Sequence, residues 1–321
     1  MARRRRLGVT PRARESTLER EGWELQRHRR AGVPPSPRLR RPAVALAEAG
    51  GPREHKKRFG QHFLEGVWVD KVIRAIDPKP DELFIEIGPG RGALTRPLVE
   101  RARAVIAFEI DRDLAAALQA TAPPTLTVIA SDFLEPNEYL GLEAHQVPRV
   151  VRAAGNLPYY VASPILFKLV DWSREAAVPF ADATVMLQRE VADRLVAPPG
   201  GKEYGVLSVL IQHAAHVEII MKLPPGAFRP APKVHSALVR LQFHPEDPPV
   251  ADRALFRAMV QAVFTRRRKT MANALLAFPP CGWLPPARAL ASADIDPIRR
   301  PETLSIGEFV RLAGVFASES R

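Results

Sequence analysis

Cysteine is nearly absent from these 321 residues: only Cys281 occurs, which excludes an intrachain disulfide framework and any multi-cysteine metal site and suits a reducing, cytoplasmic setting. The eight histidines are scattered, with no H-E-x-x-H or comparable ligand spacing, so no metal is expected. No run of about 18 apolar residues occurs, so no membrane span is expected, and the N-terminus lacks the apolar core of a signal peptide. What the chain does have is 46% hydrophobic residues, ample for a core, and a net charge of +12. At about 150 residues per domain, its length suggests roughly two domains.

The charge is unevenly placed. Met1 to Pro52 carries 13 arginines against five glutamates, +8 of the +12. This stretch is rich in proline and has no sustained apolar period, so residues 1–53 read as a disordered Arg/Pro-rich extension. It is a non-functional extension or an arm that grazes RNA; Glu15, Glu19, Glu21 and Glu24 argue against a mitochondrial presequence.

The organising stretch is Leu83 to Gly92, LFIEIGPGRG. Leu83, Phe84, Ile85 and Ile87 suit a strand buried on both faces. Glu86 interrupts that run, and an ionisable group at the end of a buried strand hints at a site. Gly88, Gly90 and Gly92 then form a turn able to approach a ligand closely, and a helix is expected over 93–100. The spacing is G-x-G-x-G, not the dinucleotide G-x-G-x-x-G. A second strand over 104–110 places Glu109 21 residues past Gly88, where a carboxylate that grips ribose hydroxyls belongs. Strands over 126–130 and 150–154 end in Ser131–Asp132 and Gly155–Asn156. Helices over 111–120, 163–170 and 189–196 and a strand over 183–187 complete an alternation that implies a Rossmann-like parallel sheet wound on both faces. Strands over 216–223 and 236–243, separated by LPPGAFRPAPKV, read as an antiparallel addition at its edge.

Beyond the linker His244 to Pro249 the strands stop, and Phe256, Met259, Val260, Val263 and Phe264 recur at helical spacing, as a small all-α domain requires. Arg266, Arg267, Arg268 and Lys269 follow, as a solvated helix face or a phosphate-contacting run.

Asn156-Leu157-Pro158-Tyr159 carries the most specific chemistry. The exocyclic amine of a base is a poor nucleophile because its lone pair is delocalised into the ring. The Asn156 amide oxygen and the backbone carbonyl before Tyr159 can each accept one of its N–H groups, which localises and aims that lone pair. Pro158 fixes the turn, and the Tyr159 ring offers a stacking surface. Beside a crevice for an adenosyl group, this suits methyl transfer from a sulfonium to a base nitrogen.

From Lys56 to Phe316 the chain resembles the ribosomal RNA adenine N6-dimethyltransferases, closest to the bacterial small-subunit branch. The resemblance lies in KKRFGQHFL, EIGPGRG, FEID, SDFL, GNLPYYVASPIL, FRPAPKVHSALV and FTRRRKTMANAL. It implies S-adenosylmethionine held by His62, Leu64, Gly88, Glu109, Asp132 and Asn156. It also implies a target adenine held by Asn156 to Tyr159 with Phe228 on its other face. Many relatives carry asparagine where this chain has His62, for which a backbone or imidazole contact is expected; Tyr160 receives no role. The implied organisation is a methyltransferase domain over 54–246 and a helical RNA-binding domain over 250–321. The implied reaction is N6-dimethylation of two adjacent adenosines in a loop near the 3′ end of 16S rRNA, by a monomer acting on the small ribosomal subunit. The alternatives are a large-subunit rRNA adenine methylase of the macrolide-resistance type, or a mainly non-catalytic assembly or transcription factor of the same fold.

Overall fold

A computed structural model describes residues 62–135, 150–175 and 180–319. The basic N-terminal extension and the residues of KKRFGQ lie outside the described residues.

The chain opens with the short strand β1 (Phe63–Leu64) and helix α1 (Gly66–Ile76), then runs β2 (Leu83–Ile87), α2 (Thr95–Val99), β3 (Ala104–Phe108), α3 (Arg112–Gln119) and β4 (Leu126–Ile129). It continues through β5 (Val151–Asn156), α4 (Ala162–Glu175), β6 (Phe180–Gln188), α5 (Arg189–Leu195), α6 (Val206–Gln212), β7 (Ala215–Leu223), β8 (Phe228–Arg229) and β9 (Ser236–Phe243). Helices α7 (Arg253–Thr265), α8 (Met271–Leu275), α9 (Pro286–Ser292) and α10 (Ile306–Glu319) end it.

Seven strands form one sheet in the order β4-β3-β2-β5-β6-β9-β7. The first five are mutually parallel, and β9 runs antiparallel to both β6 and β7. Every residue of β2 and β3 is buried, as strands covered on both faces require. One face of the sheet, with Leu83, Ile85 and Ile87, packs with α4 residues Ile165, Leu166 and Leu169. The other, with Phe84, packs with Val72, Ile73 and Ile76 of α1 and Leu98 of α2. The chain leaves β2 toward β3 and β4, then returns to its other side as β5. That reversal opens a crevice at the carboxyl ends of β2 and β5. Gly155 is where they touch: a Cβ there would collide with the Ile87 carbonyl.

Local signals explain several boundaries. Asp111 caps α3 by accepting from the amides of Asp113 and Leu114 at 3.0 and 3.3 Å, and Asp252 caps α7 through the Leu255 amide at 2.9 Å. The expected helix over 93–100 is shorter, because the turn closed by Gly92 N–H to the Pro89 carbonyl delays it to Thr95. Helix α6 carries no sequence signal: VLSVLIQ buries four successive residues, Ser208 to Ile211, and so lacks the one-sided period of a surface helix.

A third apolar cluster gathers Phe256, Met259, Val260, Val263, Met271, Leu275, Phe309, Leu312 and Phe316, and takes in Ala197, Tyr204, Val209 and Leu210 from before residue 250. The cationic run is not a helix face. No apolar residue lies between Phe264 and Met271, so nothing there seeks burial; α7 ends at Thr265 and Arg266 takes its cap.

Among the described residues no helix is long and apolar enough to cross a membrane, and no group of His, Cys, Asp and Glu is placed to hold a metal ion.

Candidate active site

The crevice between β2 and β5 is a cavity lined by His62, Leu64, Gly88, Glu109, Asp132, Asn156, Leu157, Pro158 and Tyr159, all expected from the sequence. Glu86, Ser131, Phe133, Tyr160 and Met186 join them.

Its floor is the turn after β2. Gly88 has φ 69°, the left-handed region that glycine enters without steric cost, and its amide bonds the Phe108 carbonyl at 2.9 Å. Glu109 stands directly after β3 and is held by the backbone: one carboxylate oxygen accepts from Gly90 N–H at 2.9 Å, the other from Asp111 N–H at 3.0 Å. Burial raises its pKa above the ordinary carboxylate range, and those amides work against the rise.

Glu86 is harder to accommodate. It is 1% exposed, and burial pushes its pKa up to about 8, with Glu109 adding repulsion. The Thr95 hydroxyl pulls the other way, more than Glu109 repels, although neither it nor Glu86 Oε2 makes a full hydrogen bond among the described residues. The folded chain thus retains a proton that the unfolded chain releases above its ordinary value of 4.5. The resulting stabilisation is full below that pH and is lost as pH rises through about 8. Without cofactor, Glu86→Gln should flatten the decline in melting temperature between about pH 5 and about pH 8. Thermal melts in a pH series check this, and an unchanged slope would show that Glu86 is not the proton store.

The opposite wall is the N-L-P-Y turn. The Asn156 amide nitrogen donates to the His62 carbonyl at 2.7 Å across 94 residues of chain. A carbonyl only accepts, so the amide group must face it, and this fixes which end of the side chain carries the free oxygen. The His62 imidazole bonds the Pro230 carbonyl through Nδ1 at 2.6 Å, and its ring stacks 6.0 Å from that of Tyr159. In this structure His62 meets the site through its backbone carbonyl, at Asn156, and through its ring, against Tyr159. The Pro158 carbonyl accepts from Val161 N–H at 3.1 Å, which leaves it a second lone pair. The Tyr159 hydroxyl shares a 2.7 Å hydrogen bond with Ser236, at the start of β9. Burial raises its pKa, so it stays protonated at neutral pH and serves as a held ring, not a base. Ser236, 77 residues away in sequence, carried no signal.

Two expectations are corrected. Phe228 is not on the cavity wall. Its strand β8 pairs antiparallel with β1, Leu64 opposite Phe228, and this register draws the ring into the core, where it is 0% exposed beside Leu223, Ala227 and Leu238. The cationic run is not uniform either. Arg267 is committed to the Gly201 carbonyl at 3.1 Å and to Glu302 at 3.7 Å, and Arg266 reaches the Asn273 carbonyl at 3.1 Å. Arg268 and Lys269 are exposed, with no side-chain partner among the described residues.

A parallel sheet closed by an antiparallel β6-β9-β7 end, a glycine turn facing an acidic strand end, and an N-L-P-Y turn across the crevice define a Rossmann-like methyltransferase. Comparison with known proteins narrows this. The sequence profile of the family described as Ribosomal RNA adenine dimethylase matches residues 53–313. The chain belongs to that family. It is 44% identical over 266 residues to the Ribosomal RNA small subunit methyltransferase A of Xanthomonas euvesicatoria, covering 81% of this chain and 95% of that protein. It is 41% identical over 274 residues to that of Laribacter hongkongensis, covering 83% and 97%. Among solved structures it is similar to a dimethyladenosine transferase from Plasmodium falciparum (TM-score 0.65, 25% identity, 81% of this chain and 98% of that one). It is also similar to the 23S rRNA methyltransferase ErmE (TM-score 0.54, 28% identity, 79% and 99%).

Proposed function

We propose that this enzyme uses S-adenosylmethionine to dimethylate N6 of two adjacent adenosines in a loop near the 3′ end of 16S rRNA, during small-subunit biogenesis. The observation that carries the reading is the placement of Asn156, its amide end tied to His62, across one crevice from Gly88 and the buried pair Glu86 and Glu109. The residues present fit the cofactor. Two buried carboxyl groups, 1% and 3% exposed and one with an orphaned oxygen, suit a ligand with donors and positive charge, and a bound cation would favour release of the proton that Glu86 holds without it. His62, Leu64, Gly88, Glu109, Asp132 and Asn156 would hold it, and when bound it supplies an electrophilic methyl group on a sulfonium.

The chain's own residues do the rest. In the first transfer the Asn156 oxygen and the Pro158 carbonyl each accept an N–H of the adenine amine, which turns its lone pair out of the ring. In the second transfer one N–H remains for one of these acceptors, and each transfer releases one proton to solvent after the nitrogen–methyl bond forms. The Tyr159 ring, anchored by Ser236, stacks on the base. Phe228, being buried, does not supply the base with a second ring. The target must be unstacked, and a hairpin loop presents such adenines at lower cost than a duplex does. Residues 250–321 supply the grip on folded RNA, with Arg268 and Lys269 free to meet phosphate. The enzyme acts on the subunit as a monomer in this reading.

The test offers purified protein and labelled S-adenosylmethionine to undermethylated small subunits and maps the modified nucleosides. Two adjacent dimethyladenosines near the 3′ end of 16S rRNA are expected. Label elsewhere in 16S rRNA, or none at all, overturns the assignment, as does label in large-subunit rRNA when isolated large subunits are offered instead.

A further inference from the structure

Helix α4 grows out of the N-L-P-Y turn, and its second turn carries Lys168. The Lys168 ammonium donates to the backbone carbonyls of Phe133 and Glu135, in the loop that follows β4 and contains Asp132. It also lies 5.2 Å from the ring centre of Phe133 and 5.0 Å from that of Trp172, and the two rings meet edge to face at 4.8 Å. Asp132 and Glu135 attract it electrostatically. The loop has internal support too, since Asp132 Oδ1 accepts from Leu134 N–H at 2.9 Å and the Asp132 carbonyl from Glu135 N–H at 3.1 Å. Lys168 adds a tie between two of the loop's carbonyls and another element. A half-buried cation spent on two carbonyls and two rings is an expensive way to close a loop, because it gives up hydration.

We propose that Lys168 is a positioning residue for the cofactor. It pins the Asp132 loop to the helix that follows Asn156 to Tyr159, so that one strut sets the spacing between the part of the cofactor that meets Asp132 and the base-binding turn. The inference rests on the assignment of Asp132 to the cofactor made above. The strut touches neither reacting group, so its loss weakens cofactor binding without blocking transfer once both ligands are seated.

The test measures S-adenosylhomocysteine affinity by calorimetry, and KM for S-adenosylmethionine and kcat at saturating small subunits. Lys168→Met, which keeps the length and removes the donor, should raise Kd and KM about tenfold, in keeping with loss of charge-assisted hydrogen bonds, and leave kcat within about twofold. Lys168→Arg, which restores charge and donors, should recover most of the affinity. Adding Lys168→Met to Asp132→Asn should cost clearly less than the two single effects combined, because both act through one loop. Unchanged affinity in Lys168→Met, when Asp132→Asn alone weakens binding, overturns the strut. So does a fall in kcat at unchanged KM, or an arginine variant no better than methionine. Unchanged affinity in Asp132→Asn overturns instead the assignment of Asp132, and the strut falls with it.

Discussion

Asn156→Ala should lower kcat by roughly two to three orders of magnitude, the cost typical of removing one preorganised polar group from a reacting centre, with little change in KM for the ribosomal subunit. The adenine amine gains nucleophilic character only as its lone pair leaves the ring, so the Asn156 oxygen binds more strongly in the transition state than in the ground state. An interaction of that kind appears in kcat. The RNA grip lies elsewhere, so KM has no reason to move far. Asn156→Asp is the sharper variant. It preserves shape, but places a carboxylate oxygen against the His62 carbonyl now met by an amide N–H at 2.7 Å. It also adds negative charge to a cavity that already holds Glu86 and Glu109. The aspartate should therefore be no better than alanine, although it still offers an acceptor. Single-turnover methylation checks both variants. If either kept more than about a tenth of wild-type kcat, the amide would not be steering the amine.

The site was legible in the sequence where its chemistry is local along the chain. Glu86, Gly88, Glu109, Asp132 and Asn156 each stand at or just beyond the carboxyl end of a strand whose apolar run marks it, and parallel pairing brings those ends to one edge. What escaped depends on contacts between distant residues. The His62 carbonyl that orients Asn156 lies 94 residues away, and Ser236, which holds Tyr159, lies 77 away. Phe228 shows the same limit from the other side. Its place in F-R-P-A-P-K-V suggested a stacking ring, but the register that sets Leu64 opposite it decides which way the ring turns, and no local pattern encodes that. Likewise four successive cations look alike in sequence, and only the fold commits Arg267 to Gly201 and Glu302 while leaving Arg268 and Lys269 exposed.

The largest effect on stability should come from the opposite end of the same strand. Arg152, near the start of β5, sits in the sheet with its side chain 8% exposed. All five of its guanidinium donors are used. Nε and Nη2 bond the two carboxylate oxygens of Asp182 at 2.8 Å, Nη1 bonds Glu82 at 2.9 Å, and the remaining two reach the carbonyls of Ile76 and Asp77 at 2.8 and 3.3 Å. Those carbonyls belong to the end of α1, where the helix has no partners of its own to offer them and where positive charge is favoured. Arg152→Met fills similar space but leaves Asp182 and Glu82 buried without their counter-ion. Arg240, 3.8 Å from Asp182, replaces only part of it. A loss of about 3–5 kcal/mol is expected, read as a shift in denaturant midpoint at constant slope. Replacing Asp182 and Glu82 by apolar residues in the same background should recover much of that loss, because the damage lies in stranded charge and not in missing attraction. The cavity lies at the carboxyl ends of the strands and Arg152 at the amino end of β5, so kcat per folded molecule should stay near wild type. A loss below about 1 kcal/mol would place Arg152 with ordinary exposed ion pairs, and the end of α1 would then be held by packing alone.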